Sequence, residues 1–303
     1  MTSIYPLDSS ISNKTCNCRR SSSRSTASRT RPTLSASTSA PAVSATAAAA
    51  TWVQPLRAAA DPKKDTIVGH GKFKYRVIKD WVAPGQGRHH PILNCHEMVQ
   101  VADGRLFMIG DHDTHQMLVF KPDGTILTSW GHVWPGGHGL TLARENGAEF
   151  LFVCDSGLWK SGNGGYRQTG RVTKIDLNGR ELFSLSHPMS VGAYEPTMMF
   201  NPTETAIAPN GDIYVVDGYG QSHIFVFSRE GKFKAVFGGP GEPLKLANAH
   251  KIFIDRRFEP ARVMICDRGH KRMLHTDLDG KFIGEIATEM RNPSSASFHG
   301  DLM

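Results

Sequence analysis

Glu204-Thr-Ala-Ile-Ala208, Asp212-Ile-Tyr-Val-Val-Asp217, His223-Ile-Phe-Val-Phe227 and Lys232-Phe-Lys-Ala-Val-Phe-Gly238 are four short apolar runs in immediate succession, the last two joined by the turn Ser228-Arg-Glu-Gly231. Each has strand length and strand composition, and none carries the 3.6-residue period of a helix. The unit recurs upstream as Cys95-His-Glu-Met-Val-Gln-Val101, Arg105-Leu-Phe-Met-Ile-Gly-Asp111, Gln116-Met-Leu-Val-Phe120 and Thr125-Ile-Leu-Thr-Ser-Trp-Gly131. Glycine-ended turns such as Lys121-Pro-Asp-Gly124 supply the positive φ that tight hairpins need. The second run of each unit ends on an aspartate: Asp111, Asp155, Asp217 and Asp267, separated by 44, 62 and 50 residues. The long middle interval holds the Gly-rich insertion Ser161-Gly-Asn-Gly-Gly165. Four strands every ~40–50 residues is the signature of a β-propeller, so the fold class is all-β.

Blades are expected near 92–131, 136–187, 198–238 and 247–288 within a propeller domain covering 66–303. Lys72-Phe-Lys-Tyr-Arg-Val-Ile-Lys-Asp-Trp81 reads as an outer strand that closes the ring, and 295–303 as the start of a fifth blade. A closed ring hides its sheet edges, so the chain is expected to be a C-terminally truncated copy of a six-bladed protein.

The formal net charge of +7 is uneven. Residues 1–60 carry Lys14, Arg19, Arg20, Arg24, Arg29, Arg31 and Arg57 against Asp8, a balance of +6 that leaves +1 for the remaining 243 residues. A phosphate-tracking groove needs clustered cations on the folded part, so no nucleic-acid partner is expected. The Ser-, Thr-, Ala- and Arg-rich segment 1–60 lacks the apolar surface to offset chain entropy and reads as a disordered targeting segment. Arg19-Arg20, the weakly apolar stretch from Ala40 to Val53 and Ala58-Ala59-Ala60 resemble a signal peptide of the twin-arginine kind, leading to the periplasm or the exterior. An organelle transit peptide is the alternative. No run reaches the ~20 apolar residues of a transmembrane span. Cys95, Cys154 and Cys266 remain outside the tail, without CxxC spacing, and read as small apolar strand residues.

At the start of successive inner strands one residue type returns. His96 precedes Glu-Met-Val, His138 precedes Gly-Leu-Thr, His250 precedes Lys-Ile-Phe and His299 precedes Gly-Asp-Leu; Thr203 takes the place in blade three. Inner strands line the channel, so this register sets several imidazoles at one level. Three neutral imidazoles at ~2.0–2.1 Å hold zinc with a fourth position open. The alternative is a set of repeat histidines that bind water or a carboxylate ligand. Asp111, Asp155, Asp217 and Asp267 are read as structural, capping backbone amides at blade turns.

Asn201-Pro-Thr-Glu-Thr-Ala-Ile-Ala208, Tyr214-Val-Val-Asp217-Gly218-Tyr219, Gly137-His138-Gly139-Leu140 and Ala249-His250 together resemble the NHL-repeat propeller of peptidyl-α-hydroxyglycine α-amidating lyases, over roughly 92–303. The resemblance implies His138 and His250 as zinc ligands, with His96 or His299 as weaker candidates. It implies Tyr219 as the base and the Leu140 backbone carbonyl as a ligand of a structural calcium. The implied reaction cleaves a C-terminal α-hydroxyglycine to peptide amide and glyoxylate. Departures are the third ligand, a histidine followed by aspartate in the sixth blade, which would fall beyond Met303, and the absence of an arginine in Gly110-Asp111-His112-Asp113 and of cysteines beside Tyr219. The other function class is a non-enzymatic NHL propeller that binds a protein, peptide or glycan on one face.

Overall fold

The computed structural model describes residues 66–82, 85–161, 164–298 and 300–303. The expected targeting segment 1–60 and His299 lie outside the described residues. A hairpin of β1 (Thr66–His70) and β2 (Phe73–Val77) comes first. Four antiparallel sheets follow. Blade one contains β3 (Cys95–Gln100), β4 (Leu106–Gly110), β5 (Met117–Phe120) and β6 (Ile126–Trp130). Blade two contains β7 (Gly137–Glu145), β8 (Ala148–Asp155), the insertion hairpin β9 (Leu158–Ser161) and β10 (Gly164–Arg167), then β11 (Arg171–Asp176) and β12 (Glu181–Ser184). Blade three contains β13 (Glu204–Ile207), β14 (Ile213–Val216), β15 (His223–Phe227) and β16 (Phe233–Gly238). Blade four contains β17 (Ala249–Asp255), β18 (Arg262–Asp267), β19 (Arg272–Thr276) and β20 (Phe282–Ala287). Among the described residues there is no α-helix, and thus no helix long and apolar enough to cross a membrane.

The apolar runs are continuous, not alternating, because each middle strand is covered on both faces. Successive side chains of a strand point to opposite faces. Ile213 and Val215 accordingly pack with Phe152 and Val172 of blade two, whereas Tyr214 and Val216 pack with Ile252 and Val263 of blade four. Blades one and two meet in the same way through Phe107, Ile109, Leu151 and Val153. The core therefore lies between blades, and each fully buried Val, Ile or Phe contributes about 1.5–3 kcal/mol. The outer strands are half exposed, as Phe282 and Ile283 of β20 illustrate.

The first strands β3, β7, β13 and β17 contact one another in sequence and line the channel. Each strand-ending aspartate ties its blade to the chain entering that blade's inner strand. Asp111 accepts from Asn94 N, Asp155 from Gly136 N, Asp217 from Asn201 N and Asp267 from Ala247 N. These are the backbone caps expected from the repeat.

The ends of the domain differ from expectation. Residues 73–77 pair with 66–70 and with no blade among the described residues. Residues 292–298 form no strand; Phe298 instead packs edge-on against Phe253 at 5.8 Å.

Gly124 gives a direct test of the turn chemistry. Its φ is 89°, and a Cβ there would overlap the Trp81 carbonyl oxygen. Trp81 is itself buried against Phe120, with ring centroids 5.3 Å apart. Gly124→Ala should cost roughly 2–3 kcal/mol from backbone strain and steric overlap. The check is a lower denaturant midpoint at unchanged m-value; an unchanged midpoint would contradict this packing.

Candidate functional site

Three of the four inner strands carry a β-bulge at the histidine. Pairing of β3 with β4 skips His96, that of β7 with β8 skips His138, and that of β17 with β18 skips His250. A bulge leaves one residue outside the ladder and re-aims its side chain. The register seen in the sequence is thus a repeated backbone device that releases an imidazole from each sheet. Blade three has no such residue, and Thr203 contributes its main chain instead.

His138 and His250 converge on Tyr219. The His138 Nε2 lies 3.1 Å from Tyr219 Oη and the His250 Nε2 lies 3.0 Å from the same oxygen. The opposite nitrogens face backbone carbonyls, His138 Nδ1 at 2.9 Å from Thr203 O and His250 Nδ1 at 2.8 Å from Ser294 O. A carbonyl only accepts, so each Nδ1 carries the proton and each Nε2 presents a lone pair. Burial, followed by the neighbouring His96 and His250, holds His138 well below the usual imidazole range. Burial likewise lowers His250, to about 4. Both rings are therefore neutral at pH 7.

This donor set does not close on itself. Two Nε2 lone pairs face one phenol, which has a single proton to donate. A cation between the imidazoles would satisfy the acceptor left over, so His138, His250 and Tyr219 fit a zinc-type ion by the chemistry of their donors. Among the described residues no three His, Cys, Asp or Glu side chains are grouped to hold a metal; what converges is two imidazoles and a phenol.

Tyr219 is placed by the turn after β14. The Asp217 carboxylate accepts from Asn201 N at 2.6 Å, Gln221 N at 2.7 Å and Tyr194 Oη at 2.5 Å. Tyr219 N donates to Asn201 O. Gly218 leaves no room for a side chain, since a Cβ there would lie 2.5 Å from Ala249 O. Asp217-Gly218-Tyr219 thus threads the turn between two inner strands and delivers the phenol to the channel mouth.

The remaining expected residues fall around this centre. His96 stacks on His138, with ring centroids 4.5 Å apart, and its Nε2 is 3.7 Å from Asp111 Oδ2, so it adjoins Tyr219 without a bond to it. Leu140 is buried on β7 between Gly139 and Thr141. His112 and His115 pair edge-to-face in a loop, and His90 is bonded to Ser129, away from the Tyr219 cluster. Cys154 and Cys266 are buried; burial pushes the Cys266 thiol up to about 12, as for an inert core residue.

Two cations contact Tyr219 without having been singled out from sequence, one at its ring and one at its backbone carbonyl. Arg268, just after β18, lies over the Tyr219 ring at 5.6 Å. Arg167, from the insertion hairpin, donates to Tyr219 O and Asn201 Oδ1, each at 3.2 Å. The only signal for Arg268 is its place directly after a strand-ending aspartate.

Four-stranded blades packed face to face around a channel of inner strands define a β-propeller. Residues 205–301 match a family described as a 6-bladed beta-propeller (DUF5128). The chain is 30% identical over 194 residues to NHL repeat-containing protein 3 of Homo sapiens, covering 61% of this chain and 53% of that one. It is 30% identical over 131 residues to the probable peptidyl-alpha-hydroxyglycine alpha-amidating lyase pgal-1 of Caenorhabditis elegans, covering 41% of this chain and 37% of the relative. The chain spans about half the length of the NHL repeat-containing relatives it matches. A solved virginiamycin B lyase from Staphylococcus aureus superposes with a TM-score of 0.46 at 11% identity, over 72% of this chain and 59% of that one. The chain is a β-propeller similar to NHL-repeat proteins.

Proposed function

We propose that the chain carries the active site of a metal-dependent lyase of the peptidylamidoglycolate type, acting on a peptide or small hydroxylated substrate. The observation that carries this reading is the convergence of two neutral imidazole Nε2 atoms on one phenol oxygen at the channel mouth. A zinc ion held by His138 and His250 would supply positive charge beside the phenol and favour its phenolate form. Tyr219 Oη then accepts the proton of the substrate's α-hydroxyl. The C–O bond becomes a carbonyl as the C–N bond breaks, and the electron pair leaves with the amide nitrogen, which takes up a proton. The products are peptide amide and glyoxylate.

A non-enzymatic binding scaffold is the second reading. It is favoured by the broader match to NHL repeat-containing protein 3 than to the lyase-like relative. Metal content separates the two. The lyase reading expects about one zinc per chain in the purified protein. It expects less than about half of that in the variant carrying His138→Ala and His250→Ala. Equal zinc in both proteins, or none in either, would leave the scaffold reading.

A further inference from the structure

One residue beyond the histidine register lies a second ring of channel positions. Glu97 follows His96, Glu204 follows Thr203 and Lys251 follows His250, while Gly139 adds no side chain from blade two. The Lys251 ammonium is paired with Glu97 Oε2 and lies 2.9 Å from Glu204 Oε2. The three side chains are only 7%, 14% and 3% exposed respectively. Thr141 Oγ1 and Thr205 N donate to the other oxygen of Glu204, at 2.8 and 3.0 Å. The Phe253 ring lies 5.5 Å from the ammonium. One cation therefore joins blade one, blade three and blade four, across as many as 154 residues of chain.

Two carboxylates brought together from different blades, out of water, repel one another and need a positive charge between them. A calcium ion on the axis would need about six to eight oxygen ligands. At the level of Leu140 three of the four carboxylate oxygens are already committed, two to the ammonium and one to Thr141 and Thr205, far short of such a ligand set. The residues present do not fit an ion in addition to Lys251.

We propose that the Lys251 ammonium is this propeller's built-in axial cation: it joins blades one, three and four, and it leaves the chain without a calcium requirement. The same three side chains line a cavity of about 530 Å³ that extends along the inner strands to Arg144 and Arg256. The imidazoles sit at the opposite, starting end of those strands. The ion-paired cluster thus stands between that cavity and the Tyr219 site.

The test is thermal melting of the full chain with EDTA and then with calcium chloride. Lys251→Met should melt roughly 5–10 °C below wild type without calcium, having lost one partner of a buried ion pair. About 10 mM calcium should restore at least half of that loss, because an ion that binds only the folded form stabilises it. Wild type and Lys251→Arg, which keep the charge, should move by less than about 1 °C under the same conditions. A Lys251→Met protein that folds only with calcium would also support the proposal. It is overturned if calcium raises the wild-type melting temperature by more than about 3 °C. It is equally overturned if Lys251→Met melts with wild type, or melts low and ignores calcium. Should Lys251→Met yield no folded protein under either condition, the wild-type titration decides, a rise above that limit overturning the proposal and no rise upholding it.

Discussion

Replacing Tyr219 by phenylalanine is expected to reduce glyoxylate release by about a thousandfold, within the usual range for loss of a positioned acid-base group. The substitution removes one oxygen and keeps the ring, which packs edge-on against His138 at 5.1 Å and His250 at 5.4 Å. The backbone bonds that hold the turn, Tyr219 N to Asn201 O and Arg167 to Tyr219 O, do not involve the phenol. Loss of the hydroxyl leaves an imidazole Nε2 without its donor, so the melting temperature should fall by about 2–6 °C while the turn stays folded. The loss should fall on kcat, with KM little changed, because proton transfer stabilises the transition state and not the bound substrate. Kinetics on an α-hydroxyglycine-extended peptide check this directly. Activity within about threefold of wild type would remove Tyr219 from the role of base.

Asp217→Ala is expected to be the most damaging single change to stability. Its side chain is fully buried and accepts three bonds, from Asn201 N, Gln221 N and Tyr194 Oη. Burial pushes the carboxyl up, and the hydrogen bonds oppose that shift. Truncation would strand three buried donors and open a cavity beside the Tyr219 turn, costing about 4 kcal/mol or more. In a domain of this size that is roughly 10–15 °C of melting temperature. Asp217→Asn should fall between, since an amide offers one acceptor and adds a donor where donors already crowd. A shift below about 2 °C for Asp217→Ala would mean that the turn is held by other contacts.

Much of the architecture is legible in the residues, for physical reasons. Runs such as Ile213–Val216 are apolar at every position because neighbouring blades cover both faces, and such uninterrupted runs stand out between glycine turns. The aspartates recur because each blade needs the same backbone cap. The histidine register was visible as a spacing, but its cause was not. A bulge is a fact of pairing, and no single strand announces it.

Other features depend on the main chain or on distant partners. Thr203 breaks the histidine pattern, yet its carbonyl orients His138, a role that leaves no trace in side-chain chemistry. Ser294 does the same for His250 from the irregular stretch just before 295–303, the segment expected to open a fifth blade. Residues 66–70 carry Gly69 in a positive-φ conformation and read weakly as a strand, so the hairpin they form with 73–77 was not anticipated. Glu97 and Lys251 are 154 residues apart, and the charged cluster that they form emerges only when the ring brings blades one and four together.

The most direct measurement of the central claim is product stoichiometry. The purified, zinc-loaded chain is incubated with a peptide ending in α-hydroxyglycine, and glyoxylate and peptide amide are both quantified against the spontaneous rate. The Tyr219 site is predicted to yield the two products in equal amounts, with the enhancement lost in the His138→Ala, His250→Ala variant. A folded, zinc-bound chain that releases neither product faster than buffer alone would contradict it.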